Sequence, residues 1–154
     1  MRLALYQPDI PQNLGAAIRL AACLGVALDV IEPCGFPLTD RALKRAALDY
    51  GERARLSRHA SLNAFMTAPE RNGGRLVLVE TDGAASFQDF AFSTGDTLIL
   101  GRESAGSPGE LYKAAEASVR IPMVRGVRSL NVIIAAAMAL TEAMRQTGGW
   151  EKLD

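Results

Sequence analysis

The stretch RIPMVRGVRSLNVIIAAAMAL, residues 120–140, decides how this sequence folds. A short β-branched segment ends at Pro122 and is followed by a loop that carries Gly126 and two arginines. Ser129, Leu130 and Asn131 then lead into a long run of small apolar residues, which predicts a buried helix. Because a polar, arginine-bearing loop opens this helix in place of an ordinary cap, we expect the loop to have a second role.

The rest of the chain alternates between predicted strands and predicted helices. Short apolar or β-branched runs predict strands at RLALY (2–6), ALDVIEP (27–33), RLVLVET (75–81), DTLILG (96–101) and SVRIPM (118–123). Helical spacing, caps and Pro at a first turn predict helices at 11–25, from Thr39 or Asp40 to Tyr50, at 62–68, at 108–117 and at 129–149. The alternation predicts a single α/β domain over residues 1–154, with a parallel sheet covered by helices on both faces.

The loops that follow the strands are the predicted place for chemistry. In open parallel sheets, ligands bind beyond the carboxyl ends of the strands. Gly101, Gly106 and Gly126 in these loops allow main chain to approach a ligand closely. Main-chain groups near Ile121, Met123 and Leu130 are candidates for reading the edge of an adenine, and the apolar side chains of Ile121 and Leu130 for flanking its ring.

Several classes of site do not fit the sequence. It contains neither a GxxxxGK[ST] phosphate loop nor a GxGxxG after its first strand. GRESAG, residues 101–106, misses the GxSxG spacing of a hydrolase nucleophile by one residue. His59 is the one histidine in the sequence, so we expect no metal site.

Charge and composition are those of an ordinary cytoplasmic globule. Seventeen basic residues balance 17 acidic ones, so a nucleic-acid surface would have to be local. One candidate is the stretch 40–58, where six basic residues stand against three acidic ones. No apolar run approaches the roughly 18 residues of a membrane helix, and the start of the sequence lacks the pattern of a signal peptide. Cys23 and Cys34 form no CxxC pair and are predicted to be buried as small hydrophobes.

Three segments together resemble the three motifs of the SPOUT superfamily of RNA methyltransferases. They are PDIPQNLGAAIRLAACLG (8–25), with Asn13, Gly15 and Arg19 in N-x-G-x-x-x-R spacing, LILGRESAGSPGEL (98–111) and IPMVRGVRSLNVIIAAAMAL (121–140). The short chain and the stretch IEPCGFPLTDRALKRAALDY (31–50) are similar to the tRNA (cytidine(34)-2'-O)-methyltransferase family. The resemblance implies a deep C-terminal trefoil knot, an exception to the usual rules of chain path.

The resemblance also implies a cofactor and a reaction. The expected methyl donor is S-adenosyl-L-methionine, and the expected acceptor is the ribose 2'-hydroxyl of the wobble nucleotide, cytidine or modified uridine, in leucine tRNAs. The implied cofactor-binding residues are Val79, Gly101, Glu103, Ile121, Met123, Ser129 and Leu130. The implied catalytic residues are Arg19, Ser129 and Asn131. We expect the Arg19 guanidinium to grip a phosphate and stabilise the oxyanion, because a guanidinium does not give up its proton in proteins and is therefore a poor base.

Further expectations concern the partners of the chain. Asn13, Arg41, Lys44, Arg45, Arg125 and Arg128 are the candidates for contacts with the tRNA anticodon stem-loop, and binding through such arginines and lysines would depend strongly on salt. The resemblance implies a homodimer in which each site borrows residues from the partner, and an apolar patch on the first and last helices would suit it.

Three alternatives stay open at the level of sequence. The first is a SPOUT enzyme that methylates ribosomal RNA ribose, although no added RNA-binding domain precedes the motifs. The second is a catalytically silent RNA-binding or dimerisation module that keeps the fold. The third is a generic nucleotide-binding α/β domain, which only the joint occurrence of the three motifs argues against.

Overall fold

The computed structural model describes residues 1–39, 41, 50 and 54–153. Its strands are β1 (Arg2–Tyr6), β2 (Ala27–Ile31), β3 (Arg55–His59), β4 (Leu76–Val79), β5 (Ala85–Ser86), β6 (Thr97–Leu100) and β7 (Ala117–Arg120). Within the same residues the α-helices are α1 (Pro11–Cys23), α2 (Leu62–Met66), α3 (Gly109–Ala114) and α4 (Val132–Gln146), and single 3-10 turns occur at Pro69–Arg71 and Trp150–Lys152.

The strands form one sheet in the order β3-β2-β1-β6-β4-β7-β5, and every pairing in it is parallel. The chain therefore runs outward from β1 through β2 to β3, and then returns to build the other half of the sheet around β6 and β4. This confirms the predicted α/β class with a parallel sheet. The reversal of direction beside β1 brings loops from distant parts of the chain to one edge.

Alternation along the buried strands creates two apolar layers. Leu3 and Leu5 of β1 face the layer that also holds α1 and α4, whereas Ala4 and Tyr6 face the layer with α2 and α3. All four side chains are at most 4% exposed. Burying one Val or Leu side chain is worth about 1.5–3 kcal/mol, so the near-continuous apolar strands explain why both faces are covered.

Small residues let the final helix lie close to the sheet and to α1. Ala136, Ala139 and Ala143 of α4 are fully buried, and Ala17 and Ala21 of α1 belong to the same apolar layer. Alanine loses little side-chain entropy on burial and allows helix axes to approach closely. The trefoil knot implied by the resemblance stays a prediction about the path of this helix.

The structure differs from the sequence-based expectations at several element boundaries. Two strands were not predicted: the edge strand β3, whose sequence RLSRH is largely polar, and the two-residue β5. The last helix begins at Val132 and not at Ser129, because Asn131 is its N-cap. The predicted helix up to Tyr50 falls mostly outside the described residues. Cys23 is exposed, so its predicted burial is wrong, and Cys34 is only half-buried.

The histidine has a structural partner. His59 is buried at the end of β3, with Nε2 2.8 Å from Oδ1 of the fully buried Asp29. Arg2 donates to the same carboxylate through Nε (2.7 Å) and Nη2 (2.9 Å). The three side chains thus join β1, β2 and β3, and His59 contributes to packing of the sheet.

Within the described part of the chain, no helix is long and apolar enough to span a bilayer.

Candidate active site

Four loops meet at one edge of the sheet. The adjacent strands β1, β6, β4 and β7 end at Tyr6, Leu100, Val79 and Arg120, and their carboxyl ends point the same way. The loops that follow them begin at residues 7, 101, 80 and 121. Three of the four loops carry the motifs singled out from the sequence, so the strand order brings those motifs together.

These loops enclose a cavity of about 530 Å³. Ten residues predicted for the site line it: Asn13, Val79, Gly101, Glu103, Ile121, Met123, Arg128, Ser129, Leu130 and Asn131. Its volume falls within the roughly 300–1,000 Å³ of small-molecule sites. The predicted cofactor residues are therefore neighbours in space, although the first and last of them, Val79 and Leu130, are 51 positions apart in sequence.

Other predicted residues lie elsewhere. In the described part of the chain, the exposed Arg19, Arg41 and Arg125 are not part of the cavity lining. Arg19 lies six residues beyond Asn13 on α1, about 9 Å along the helix axis, and its guanidinium carbon is 5.1 Å from the ring centre of Tyr50. Lys44 and Arg45 lie outside the described residues.

The loop after β6 is a tight turn that forms one wall. The backbone N–H of Gly106 donates to the carbonyl of Arg102 (2.8 Å), and the N–H of Arg102 donates back (3.1 Å). Gly106 adopts φ +65°, a conformation that favours glycine. A Cβ on Gly101 would lie 2.8 Å from the carbonyl carbon of Gly106 and closer still to Ser107 Oγ. Glycine at position 101 is thus required by the closure of the loop.

A chain of side-chain hydrogen bonds joins three of the segments that surround the cavity. Asn13 of α1 donates through Nδ2 to Glu103 Oε1 (3.1 Å), and the backbone N–H of Asp9 donates to Glu103 Oε2 (2.7 Å). Asn131 donates through Nδ2 to Asn13 Oδ1 (3.1 Å). Its own Oδ1 accepts from the N–H of Ile133 (2.9 Å), which caps the final helix. Asn131 therefore caps the final helix and also connects its start to Asn13 of the first motif. These two roles explain the polar residue directly before the helix.

Asp9, which lies in the loop after β1, also binds the loop after β6. Its Oδ1 accepts from Arg102 Nη2 (2.9 Å) and Nε (3.1 Å), and its Oδ2 accepts from the backbone N–H and the hydroxyl of Ser104. Burial alone would raise the pKa of Asp9, but the hydrogen bonds from Ser104 and the charge of Arg102 outweigh it and hold that pKa below its usual range. Asp9 is therefore an ionised anchor at neutral pH.

Sequence reasoning missed part of the lining. Gly106, singled out in the sequence analysis, also lines the cavity, and seven residues that were not predicted complete its wall: Ile10, Glu80, Thr81, Leu100, Arg102, Val132 and Ala135. Glu80 and Thr81 directly follow β4, so their position at a strand end was the signal that could have found them.

Among the described residues, no group of three or more His, Cys, Asp and Glu side chains is placed to hold a metal ion.

Comparison with known proteins identifies relatives along almost the whole chain. A tRNA (cytidine(34)-2'-O)-methyltransferase from Ancylobacter novellus is 50% identical over 152 residues, which is 99% of this chain and 96% of that protein. The protein of that name from Escherichia coli K12 is 40% identical and covers 96% of this chain and 94% of its own length.

Solved structures share the fold. One, from work on the 2-OH methylation of C/U34 on tRNA, superposes with a TM-score of 0.85 at 43% identity and covers 94% of both chains. The SpoU methyltransferase AviRb from Streptomyces viridochromogenes, in complex with the cofactor AdoMet, gives a TM-score of 0.82 at 28% identity, with 95% of this chain and 60% of AviRb covered. The family described as SpoU rRNA Methylase matches residues 1–141, and with the motif loops assembled at one cavity this chain belongs to that family of RNA methyltransferases.

Proposed function

We propose that this protein transfers a methyl group from S-adenosyl-L-methionine to the ribose 2'-hydroxyl of nucleotide 34, cytidine or modified uridine, in leucine tRNAs in the cytoplasm. The observation that carries the proposal is the near-complete, 50% identical match to a tRNA (cytidine(34)-2'-O)-methyltransferase. The assembled cavity supports it independently, because a silent module would have no need to keep a lined site.

The chemistry of the lining fits this cofactor. Val79, Leu100, Ile121, Leu130 and Val132 provide apolar walls suited to an adenine ring. Glu80, Glu103, Ser129 and Asn131 provide hydrogen-bonding groups suited to hydroxyl and amino groups. A site with apolar walls and a few placed polar groups is the usual form of a nucleoside pocket.

The chain itself contributes positioning and charge. When bound, S-adenosyl-L-methionine would supply a methyl carbon already activated by the adjacent positive sulfur. Such a transfer mainly requires the loops to hold the acceptor oxygen in line and to exclude water. Ser129, which lines the cavity, would orient the acceptor ribose of the RNA, and Asn131 connects the loop to Asn13. Arg19 stabilises the negative charge that develops on the acceptor oxygen and grips the adjacent phosphate.

The RNA surface lies at the same edge of the sheet. Arg125 and Arg128 are exposed in the loop before the final helix, and Arg41 is exposed at the start of the segment 41–50. We expect these side chains, with Lys44 and Arg45, to contact phosphates of the anticodon stem-loop. Asn13, also predicted to contact the RNA, is buried in the cavity lining and hydrogen-bonded to Glu103 and Asn131. Contacts of this kind position the RNA and weaken as salt is raised.

A homodimer explains why Arg19 lies away from the cavity of its own chain. α1 and α4 pack on the same face of the sheet, and α4 exposes Ile134 (53%) and Met138 (38%) one turn apart. Exposed apolar side chains on one face of a helix are typical of an interface. A second copy seated there would bring Arg19 of one subunit toward the cavity of the other.

Ile134→Asp is therefore expected to break the dimer. A carboxylate in a desolvated interface core loses its hydration, so dimer affinity should fall at least about 30-fold. Sedimentation velocity measures the change from a dimer of 16.4 kDa chains to a monomer. Ala64→Asp is the matched control, because Ala64 is exposed on α2 at the opposite face and should leave the dimer intact. A wild-type protein that sediments as a monomer would contradict the interface.

The activity is tested by mass spectrometry of RNA nucleosides. Purified protein, S-adenosyl-L-methionine and unmodified total tRNA should yield a 2'-O-methyl mark at position 34 of leucine tRNAs. Equal amounts of ribosomal RNA provide the comparison that separates the proposal from the ribosomal alternative. Methylation of ribosomal RNA alone would support that alternative, and binding of cofactor with no methylation of either RNA would favour the silent module.

A further inference from the structure

We propose that the Glu80 carboxylate is a cofactor-specificity residue that accepts hydrogen bonds from the ribose hydroxyls of the methyl donor; this rests on the proposed function. Glu80 follows β4 directly and lines the cavity beside Val79 and Gly101. It is half-buried, so a hydrogen bond to it is only partly exposed to competition from water.

The backbone holds this carboxylate in place. Its Oε1 accepts from the backbone N–H of Ser107 at 3.0 Å, and its Oε2 accepts from the N–H of Thr81 at 2.9 Å. The first bond reaches across to the loop after β6, so the side chain also connects two walls of the cavity. A carboxylate fixed in this way needs no reorganisation when a ligand arrives.

The carboxylate keeps spare acceptor capacity. Each carboxylate oxygen has two lone-pair sites, and each oxygen of Glu80 has one backbone donor. The other carboxylate in the lining, Glu103, also has one donor on each oxygen, from Asn13 and from the backbone of Asp9. Glu80 can accept from a ligand that carries two neighbouring hydroxyl donors, and what separates it from Glu103 is its position directly after β4.

Strand order indicates which part of the ligand lies nearest. The apolar groups that suit adenine, Ile121 and Leu130, belong to the loop after β7. β4 is paired directly with β7, so the loop that begins at Glu80 is adjacent to that loop. The ribose is bonded directly to adenine and carries a diol, which matches a pure acceptor such as a carboxylate.

The test compares two ligands on matched variants by isothermal titration calorimetry. The probes are S-adenosylhomocysteine and its analogue without the 2'- and 3'-hydroxyls. For wild type, we expect loss of the hydroxyls to weaken binding about tenfold or more, the usual effect of losing hydrogen bonds to a charged group. Glu80→Gln should bind S-adenosylhomocysteine about tenfold more weakly than wild type and should discriminate little between the two probes.

Asp82→Asn is the matched control. Asp82 lies two residues further along the same loop, outside the cavity lining, and its Oδ1 accepts from the hydroxyl of Tyr112 at 2.7 Å. This variant should keep the discrimination of wild type. Thermal melts establish that each variant is folded. If Glu80→Gln does not fold, the comparison uses Glu80→Asp, which keeps the charge on a shorter side chain.

Two outcomes overturn the proposal, and they can be told apart. If removal of the hydroxyls weakens the binding affinity of wild type and of Glu80→Gln by the same factor, Glu80 only supports the loop and does not contact the ribose. Glu80→Gln should also weaken the binding of 5'-methylthioadenosine, which lacks the amino-acid part of S-adenosylhomocysteine. If Glu80→Gln leaves the affinity for 5'-methylthioadenosine unchanged, the carboxylate contacts the amino group of the cofactor and not its ribose. Wild type that binds no S-adenosylhomocysteine would overturn the proposed function itself.

Discussion

Arg19→Ala is expected to reduce the rate of methyl transfer about 100- to 1,000-fold while the affinity for S-adenosylhomocysteine stays near that of wild type. Removal of one group that stabilises developing negative charge typically has an effect of this size on kcat. The cofactor affinity should not change, because Arg19 is exposed on α1 and is not part of the cavity lining. Single-turnover transfer to tRNA and calorimetry with S-adenosylhomocysteine measure the two quantities separately.

Arg19→Lys provides the comparison for this experiment. Lysine keeps the positive charge but not the planar fork of donors that a guanidinium offers to a phosphate, so we expect a partial loss between wild type and Arg19→Ala. Mixed dimers test whether Arg19 acts across the interface. If it does, a dimer of one Arg19→Ala subunit and one cofactor-site variant should have one active site, with the cofactor bound by the first subunit and Arg19 supplied by the second. Loss of cofactor affinity in Arg19→Ala would show that Arg19 acts on the cofactor and not on the acceptor.

Gly101→Ala is expected to weaken S-adenosylhomocysteine binding about 10- to 100-fold and to lower the free energy of unfolding by about 1–3 kcal/mol. The added Cβ would lie 2.8 Å from both the carbonyl carbon of Gly106 and the backbone nitrogen of Ser107. Real Cβ atoms do not approach backbone so closely, so the loop must open and the Glu80 contact to Ser107 must shift. Calorimetry and urea unfolding measure the two losses.

Gly109→Ala is the matched control in the same segment. A Cβ at the start of α3 would meet nothing within 4 Å, so the substitution should leave cofactor affinity unchanged and stability equal or slightly higher. If Gly101→Ala retained wild-type affinity and stability, the loop after β6 would not be the tight wall that its hydrogen bonds indicate.

Much of the fold could be predicted because its strands are locally distinctive. RLALY predicts a strand at Arg2–Tyr6, which is where β1 lies, and the apolar core of RLVLVET contains β4. β3 could not be predicted in the same way, because RLSRH has few apolar residues and an edge strand is stabilised by its one neighbour, β2. The start of the final helix was misplaced by three residues, since the cap role of Asn131 depends on its hydrogen bonds.

Some of the predicted residues from the motifs lie at the cavity, whereas Arg19 and Arg125, which also belong to the motifs, do not. Gly101, Ser129 and Leu130 were all expected at the cavity and all line it. Arg102 was missed because its role depends on its hydrogen bonds to Asp9, which lies 93 residues away in sequence and which no local pattern connects with it.

The sequence by itself determined the α/β alternation, the family and the sheet edge at which the motif loops meet, because apolar periodicity and motif spacing are local properties of the chain. Only the tertiary structure decided the strand order, the link from Asn131 through Asn13 to Glu103, the position of Glu80 and the absence of Arg19 from the described lining of the cavity. The reason is physical: these features depend on hydrogen bonds and packing between segments brought together by a central pairing of β1 with β6, about 95 residues apart in the chain.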